Sequence, residues 1–318
     1  MKEVRKDLMT GDLVIYSSFR NERPHDVVDI DNINLENTNI KYSETCPFCR
    51  GNEVGTEDLM DSIYKDGSWI AKSVKNKFPI VDMSTKHVFG EHEVVVETHR
   101  HEGSYFDMSI DEFESVFKLF KSRSKQLSSL EGVKYVNIFK NSKKNAGASL
   151  SHPHSQIMSI SMIPPEVEVE MNIAKEYKKE KGSNLYEDII KEEIDNENRV
   201  IYNGEYFLVF VPYASKYNGE VRIIAKSKKQ IDSWNNPEIS EISYIYINLF
   251  KKIKENQGEI PFNTIIHTTP LVDKSDEFYR THIHIIPRKY NFGGFELSTD
   301  FYVSGTDPQN LASELRFK

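Results

Sequence analysis

A chain of 318 residues with a formal net charge of -8 can bury one large core or two moderate ones, and its acidity argues against a non-specific nucleic-acid binder, which must neutralise phosphates with Lys and Arg. The opening Met1-Lys2-Glu3-Val4-Arg5-Lys6 leads into no long apolar run and no segment approaches a membrane span, so a soluble cytoplasmic protein, with neither nucleic acid nor membrane as partner, is expected. Two cysteines, three apart, exclude a disulfide framework.

Those cysteines form the first chemical signal in the chain. Cys46-Pro47-Phe48-Cys49 has the spacing that lets two thiolates grip one zinc ion, with two further ligands still to be found, histidines being the natural candidates. A redox pair or two plain thiols are the alternatives, and the β-α context of a redox pair is missing. An apolar run at Val94, Val95 and Val96 reads as a strand. A helix then opens at Ser109 with Glu112 three residues on, a capping box, and carries Ile110, Phe113, Val116, Phe117 and Phe120 at helical spacing. A strand from Tyr135 to Phe139 follows, then Ser151-His152-Pro153-His154-Ser155-Gln156. On a strand, residues i and i+2 share a face, so this His-x-His aims two imidazoles at one place.

The stretch from Glu166 to Arg199, dense in Glu and Lys, reads as helical material broken at Gly182-Ser183-Asn184. The same order of elements then repeats. An apolar run (Val221 to Ala225) precedes a helix opening at Asn236-Pro237, with its stripe at Ile239, Ile242, Tyr246, Leu249, Phe250 and Ile253. A strand (Thr264 to Ile266) and a second pair, His282-Ile283-His284, complete it. The expected fold is α+β: two tandem units, each an antiparallel sheet with helices packed on it, spanning 1–165 and 200–318, with a helical connection over 166–199. Basic clusters at Lys140, Lys143, Lys144 and at Lys226, Lys228, Lys229 read as solvated surface, although the first leads into the His-Pro-His motif and could attract an anion.

Taken together, Cys-Pro-Phe-Cys, the acidic strand ending Glu97-Thr98-His99-Arg100-His101, Phe139-Lys140-Asn141 and His-Pro-His-Ser-Gln resemble the galactose-1-phosphate uridylyltransferase family of the histidine-triad superfamily. Glu3-Val4-Arg5-Lys6-Asp7, Arg20-Asn21-Glu22-Arg23-Pro24, Val74-Lys75-Asn76-Lys77-Phe78-Pro79, His267-Thr268-Thr269-Pro270 and Gly293-Gly294-Phe295-Glu296 extend the resemblance over nearly the whole chain. The resemblance implies zinc held by Cys46, Cys49, His101 and His152, with His99 a competitor for His101. It implies a second metal site, iron or zinc, at Glu170, His267, His282 and His284, whose donor set suits such ions better than magnesium or calcium. Arg20, Arg23, Asn76, Phe78 and Asn141 would line the nucleotide and phosphate pocket, and a homodimer is expected.

The resemblance also implies that only the first unit carries a nucleophile, His154. A neutral imidazole attacks phosphorus well and leaves well, so a nucleotidyl-histidine divides one transfer into two easier steps. Gln156 would donate an amide hydrogen bond to the phosphoryl oxygens, with the Ser155 hydroxyl nearby. The activity implied is movement of a nucleoside monophosphate, UMP in most of the family, between a nucleotide sugar and a sugar 1-phosphate. Ser149-Leu150-Ser151 and Ser155 stand closer to the ADP-glucose phosphorylase-like branch, where adenylyl transfer to phosphate is the alternative. A nucleotide hydrolase and a non-catalytic zinc-stabilised nucleotide binder are further alternatives. The hydrolases commonly place a histidine where Gln156 stands, and the binder predicts a degraded nucleophile, whereas His154 is intact.

Overall fold

The computed structural model describes residues 2–19, 41–52 and 59–318. Arg20 and Arg23 lie outside them. In chain order the elements are β1 (Lys2–Lys6), β2 (Leu13–Ser17), β3 (Leu59–Lys65), β4 (Ser68–Lys75), β5 (His92–Val96), α1 (Ile110–Ser128), β6 (Tyr135–Ser142) and β7 (His154–Ile160). Then come α2 (Pro165–Lys181), α3 (Leu185–Asn196), β8 (Val200–Asn203), β9 (Phe207–Phe210), β10 (Val221–Ala225), α4 (Asn236–Gln257), β11 (Phe262–His267) and β12 (His282–Pro287). Helix α5 (Gly294–Thr299), β13 (Phe301–Ser304) and α6 (Pro308–Leu315) close the chain.

The repeated order expected from sequence is present: β5, α1, β6, β7 is answered by β10, α4, β11, β12. The two sheets are continuous with each other. Ten strands run in the order β3-β4-β5-β7-β6-β11-β12-β10-β9-β8, all antiparallel, while β1, β2 and β13 form a separate small sheet. The seam is β6 against β11, where Phe139 lies opposite Ile265. About that pair the halves are related by an approximate twofold. Phe139 pairs with Gln156 and Ile265 with His284, while Gln156 pairs with Val94 and His284 with Arg222. Counting by two along each strand, His154 corresponds to His282, Asn141 to His267 and His92 to Glu220.

Alternation along the strands then decides which side chains meet which layer. Val95, Ile138, Ile157, Ile223, Ile266, Ile283 and Ile285 face α1 and α4, whose stripes Phe113, Val116, Phe117 and Phe120 and Ile239, Ile242, Tyr246 and Phe250 are buried against them. At about 1.5–3 kcal/mol for each such side chain fully buried, this layer is the main source of stability. Both helices start on capping boxes, Ser109 with Glu112 and Asn235 with Glu238; the second N-cap is one residue before the Asn236 expected. The opposite face of the sheet is treated unequally. Helices α2 and α3, separated at Gly182-Ser183-Asn184, cover its second half through Val167, Ala174, Leu185, Tyr186 and Ile189 against Leu208, Phe210 and Ile224. On the first half Asn137, Phe139, Asn141 and Gln156 remain half-buried on the face that α2 and α3 cover in the second half, and this accessible face is the cleft.

Candidate active site and metal centres

The segment from Ser43 to Asn52 turns tightly, Cys49 N–H donating to Cys46 O at 3.3 Å and the Asn52 amide to the Cys46 and Ser43 carbonyls at 2.8 and 2.9 Å. The turn presents both thiols to the sheet. Cys49 Sγ lies 3.2 Å from His101 Nδ1 and 3.7 Å from His152 Nδ1, and Cys46 Sγ lies 3.6 Å from His152 Nδ1. All four donor atoms fall within 4.8 Å of one another. Metal–sulfur and metal–nitrogen bonds of about 2.3 and 2.0–2.1 Å in a tetrahedron give edges of this size. His152 Nε2–H donates to Thr98 O at 2.8 Å, which leaves Nδ1 with its lone pair turned to the thiols. His101, not its competitor His99, joins this cluster.

The backbone carbonyl of that same His152 accepts from His154 Nδ1–H at 2.8 Å. The His154 tautomer is thereby set, and the Nε2 lone pair is the free one. Burial, with Lys140 nearby, holds the His154 pKa below the ordinary histidine value, so the ring is neutral at physiological pH. Lys140 Nζ donates to His154 O at 3.1 Å and pairs with the fully buried Glu97. Glu97 also accepts from Tyr105 OH at 2.6 Å and from Ser155 Oγ. Ser155 therefore corrects an expectation: it sits one residue from His154, points to the opposite face and secures the strand from beneath. Sequence alternation alone carried that signal, since His154 and Gln156 cannot share a face with the residue between them.

Gln156 lies beside His154 on the cleft face, its Oε1 2.8 Å from His92 Nε2. Asn76, at the end of β4, places Nδ2 3.4 and 3.2 Å from the two ring nitrogens of His92 and accepts Phe78 N–H at 2.9 Å. Phe78 is 82% exposed at the cleft rim, unusual for a phenyl ring. Asn141 accepts from Asn263 Nδ2 at 2.7 Å, and Asn263 Oδ1 accepts from Arg288 at 3.0 Å. Of the expected nucleotide-pocket residues, Asn76, Phe78 and Asn141 thus gather at the cleft around His154 and Gln156. Lys140, expected on the solvated surface, is instead buried against Glu97, and neither His92 nor Glu97 was given a role by the sequence, because the pairings that give them meaning are long-range.

On β11 and β12, two and three strands beyond β7 and further along the sheet, the other cluster is sealed. Glu170 from α2 reaches down between His267, His282 and His284, and the four donor atoms again lie within 4.8 Å of one another. His267 Nδ1 is 3.0 Å from Glu170 Oε2, which also accepts from Tyr279 OH at 2.5 Å. His282 Nδ1–H donates to Arg280 O at 2.9 Å and His284 Nδ1–H to Glu220 Oε1 at 2.9 Å. Both Nε2 atoms are buried without a hydrogen bond among the described residues, His282 Nε2 standing 3.5 Å from Glu170 Oε2, an expensive arrangement unless a cation completes it. Burial would raise the Glu170 carboxyl, but His267 and His282 outweigh it and hold the group well below its usual range. Behind the cluster, Glu220 is raised by burial yet taken down to about 2 by Arg222 and His284. Arg222 completes the chain at 2.6 Å from Asp7. Glu220, Arg222 and Asp7 also escaped the sequence reading.

The fold is shared over nearly its whole length with nucleotidyltransferases of the galactose-1-phosphate uridylyltransferase and ADP-glucose phosphorylase kind. The chain is 28% identical to ADP-glucose phosphorylase of Arabidopsis thaliana over 99% of its own length and 92% of that protein. It is 25% identical to galactose-1-phosphate uridylyltransferase of Thermotoga maritima over 99% and 98%. The crystal structure of the Arabidopsis ADP-glucose phosphorylase with bound ADP-glucose superposes with a TM-score of 0.86 at 26% identity, covering 100% of this chain and 99% of that one. Over residues 71–317 the chain matches, and belongs to, the family described as a domain of unknown function, DUF4921.

Proposed function

We propose that the protein transfers a nucleoside monophosphate from a nucleotide sugar to a phosphate-bearing acceptor through a covalent intermediate on His154. The observation that carries this is the His154 ring: neutral, locked by the His152 carbonyl, with Nε2 free on the cleft face beside the Gln156 amide. In the first step Nε2 attacks the α-phosphorus, the N–P bond forms, and the bond from phosphorus to the bridging oxygen breaks, releasing a sugar 1-phosphate. An acceptor phosphate oxygen then attacks the same phosphorus and frees the imidazole. Positioning and charge neutralisation carry such transfers, and Gln156 supplies an amide donor to the non-bridging oxygens. Asn76 and Asn141 add amides at the cleft, and exposed Phe78 offers a face on which a base can stack.

Cys46, Cys49, His101 and His152 would hold zinc, which is structural in this reading: it stiffens the segment whose His152 carbonyl orients the nucleophile. Glu170, His267, His282 and His284 would hold zinc or iron, buried and away from the cleft. Arg20 and Arg23, outside the described residues, remain phosphate-contact candidates on the family resemblance. We further propose a cytoplasmic homodimer, which sedimentation at two protein concentrations tests; among the described residues no helix is long and apolar enough to cross a membrane.

Two substrate readings share this chemistry. UMP transfer to a hexose 1-phosphate follows the Thermotoga relative, whereas AMP transfer to inorganic phosphate is favoured by the 0.86 superposition with the ADP-glucose-bound structure. Intact mass at mildly alkaline pH, after mixing with UDP-glucose, UDP-galactose, ADP-glucose and GDP-mannose separately, identifies the base from the adduct. Adding phosphate or a hexose 1-phosphate then identifies the acceptor by which one discharges it. Absence of an adduct with every donor would overturn the covalent reading.

A further inference from the structure

His92 makes contacts that no feature of its own strand requires. Its side chain is 2% exposed, on the cleft face of β5, and is gripped at both nitrogens. The backbone N–H of Ile80 points at Nδ1 from 3.1 Å. An amide N–H can only donate, so Nδ1 carries the lone pair and, in the neutral ring, Nε2 carries the proton. Burial keeps the ring neutral by holding its pKa below the ordinary value, against the opposing pull of the Gln156 hydrogen bond and of the Glu93 charge on the other face of the strand. The proton on Nε2 then decides the orientation of Gln156. Only the carbonyl end of that amide can lie 2.8 Å from an N–H donor, so Oε1 faces His92 and the NH2 group is turned away from it.

The approximate twofold supplies an independent observation. The position equivalent to His92 is Glu220, and the position equivalent to Gln156 is His284. Glu220 accepts from His284 Nδ1–H at 2.9 Å, so in the second half, too, this strand position holds the third residue of the His-x-X motif by one hydrogen bond. The chemistry is inverted to suit the held group: a carboxylate acceptor orients an imidazole, while an imidazole donor orients an amide.

We propose that His92 is a positioning residue for the nucleotidyl transfer, setting the amide flip of Gln156 so that its NH2 group, not its oxygen, meets the phosphoryl oxygens. The inference rests on the covalent His154 reading. An unheld amide samples both flips, and the wrong one sets an oxygen lone pair against anionic oxygens. The Asn76 NH2 group lies 3.2 Å from Nε2 and 3.4 Å from Nδ1; with the proton on Nε2 it can only share the Nδ1 lone pair with Ile80 N–H.

Two substitutions separate its two bonds. His92→Asn keeps an acceptor within reach of Ile80 N–H but is too short to reach Gln156; His92→Gln can still present an N–H to Gln156. The readout is the rate of adduct formation on His154 in single turnover, measured by intact mass across donor concentration, with zinc content and thermal unfolding as controls. In His92→Asn the saturating rate is expected to fall roughly tenfold to a hundredfold, with the half-saturating donor concentration little changed. His92→Gln should recover most of the rate. Gln156→Ala placed on His92→Asn should add little further loss, because both remove the same oriented donor. A wild-type rate in His92→Asn, additive losses in the double variant, or equal losses in the Asn and Gln variants despite intact folding would overturn the proposal. Should His92→Asn fail to fold, the same decision falls to His92→Gln, alone and on Gln156→Ala: recovery in the first and non-additivity in the second are required. If the wild-type protein itself forms no adduct, the covalent reading fails, a result distinct from any of these.

Discussion

His154 and His282 occupy equivalent places on either side of the seam and are held alike, each Nδ1–H bonded to the carbonyl two residues earlier, at 2.8 and 2.9 Å. One Nε2 then opens on a cleft and the other on a sealed cluster. The imidazole and its local backbone are therefore not what separates the proposed nucleophile from the proposed metal ligand. The difference is made by the neighbours: Asn141 stands where the second half has His267, Gln156 where it has His284, and α2 lowers Glu170 onto the second half alone. Half-buried amides around a neutral ring suit an anionic substrate, whereas three rings and a buried carboxylate suit a resident cation.

The comparison is broken most directly by removing each ring in turn. His154→Ala should lower adduct formation by at least about a thousandfold while leaving folding and metal content unchanged. His282→Ala should leave the adduct step largely intact and cost the second site its metal, read by elemental analysis beside single-turnover mass. Equal kinetic losses in the two variants would show that the halves are not divided as described. Next in size, Cys46→Ala should release one equivalent of metal and lower the thermal midpoint, since structural metal binding is coupled to folding. Retention of both metals would move the first centre elsewhere.

Glu220→Gln sharpens the contrast between charged and neutral bracing. It leaves Arg222 buried with Asp7 as its remaining anionic partner, at a cost of about 1.5–3 kcal/mol in urea unfolding. The smallest effect concerns the two helix starts. Ser109→Ala and Asn235→Ala should each cost about 1 kcal/mol, and equal costs would confirm that the cleft-free face is built alike in both halves. Ser109→Ala should also change the acid limb. Burial raises Glu112, but the Ser109 amide, the Thr98 hydroxyl and Arg100 outweigh it and depress its pKa. Its stabilisation is thus full above the ordinary Glu pKa and lost as pH falls through the depressed value; loosening the box should shrink that loss.

Much of the site was legible because its signals are local. Cys-x-x-Cys and the two His-x-His pairs are short motifs whose geometry follows from a turn and from strand alternation, and the helix stripes with their caps repeat at matching positions. Reading the same alternation more strictly would also have turned Ser155 away from the cleft. His92, Glu97, Glu220 and Arg222 were given no role, and Lys140 was misplaced on the solvated surface, for a different reason. Their partners lie 64 residues away for His92 with Gln156 and for Glu220 with His284, and 43 for Lys140 with Glu97. A buried charge or a lone histidine announces nothing until its partner is placed opposite it.

What the sequence by itself determined, then, is the class of fold and the repeated order of elements, which follow from periodicity and spacing within a few residues, while the proposed ligand sets and nucleophile came from the family resemblance. Tertiary structure alone decided that the two sheets join at β6 and β11, that His101 rather than His99 completes the first cluster, and that α2 seals one half and leaves the other open. Strand register across a seam and the landing point of a helix are set by the summed packing of distant side chains, and no single stretch of chain contains that sum.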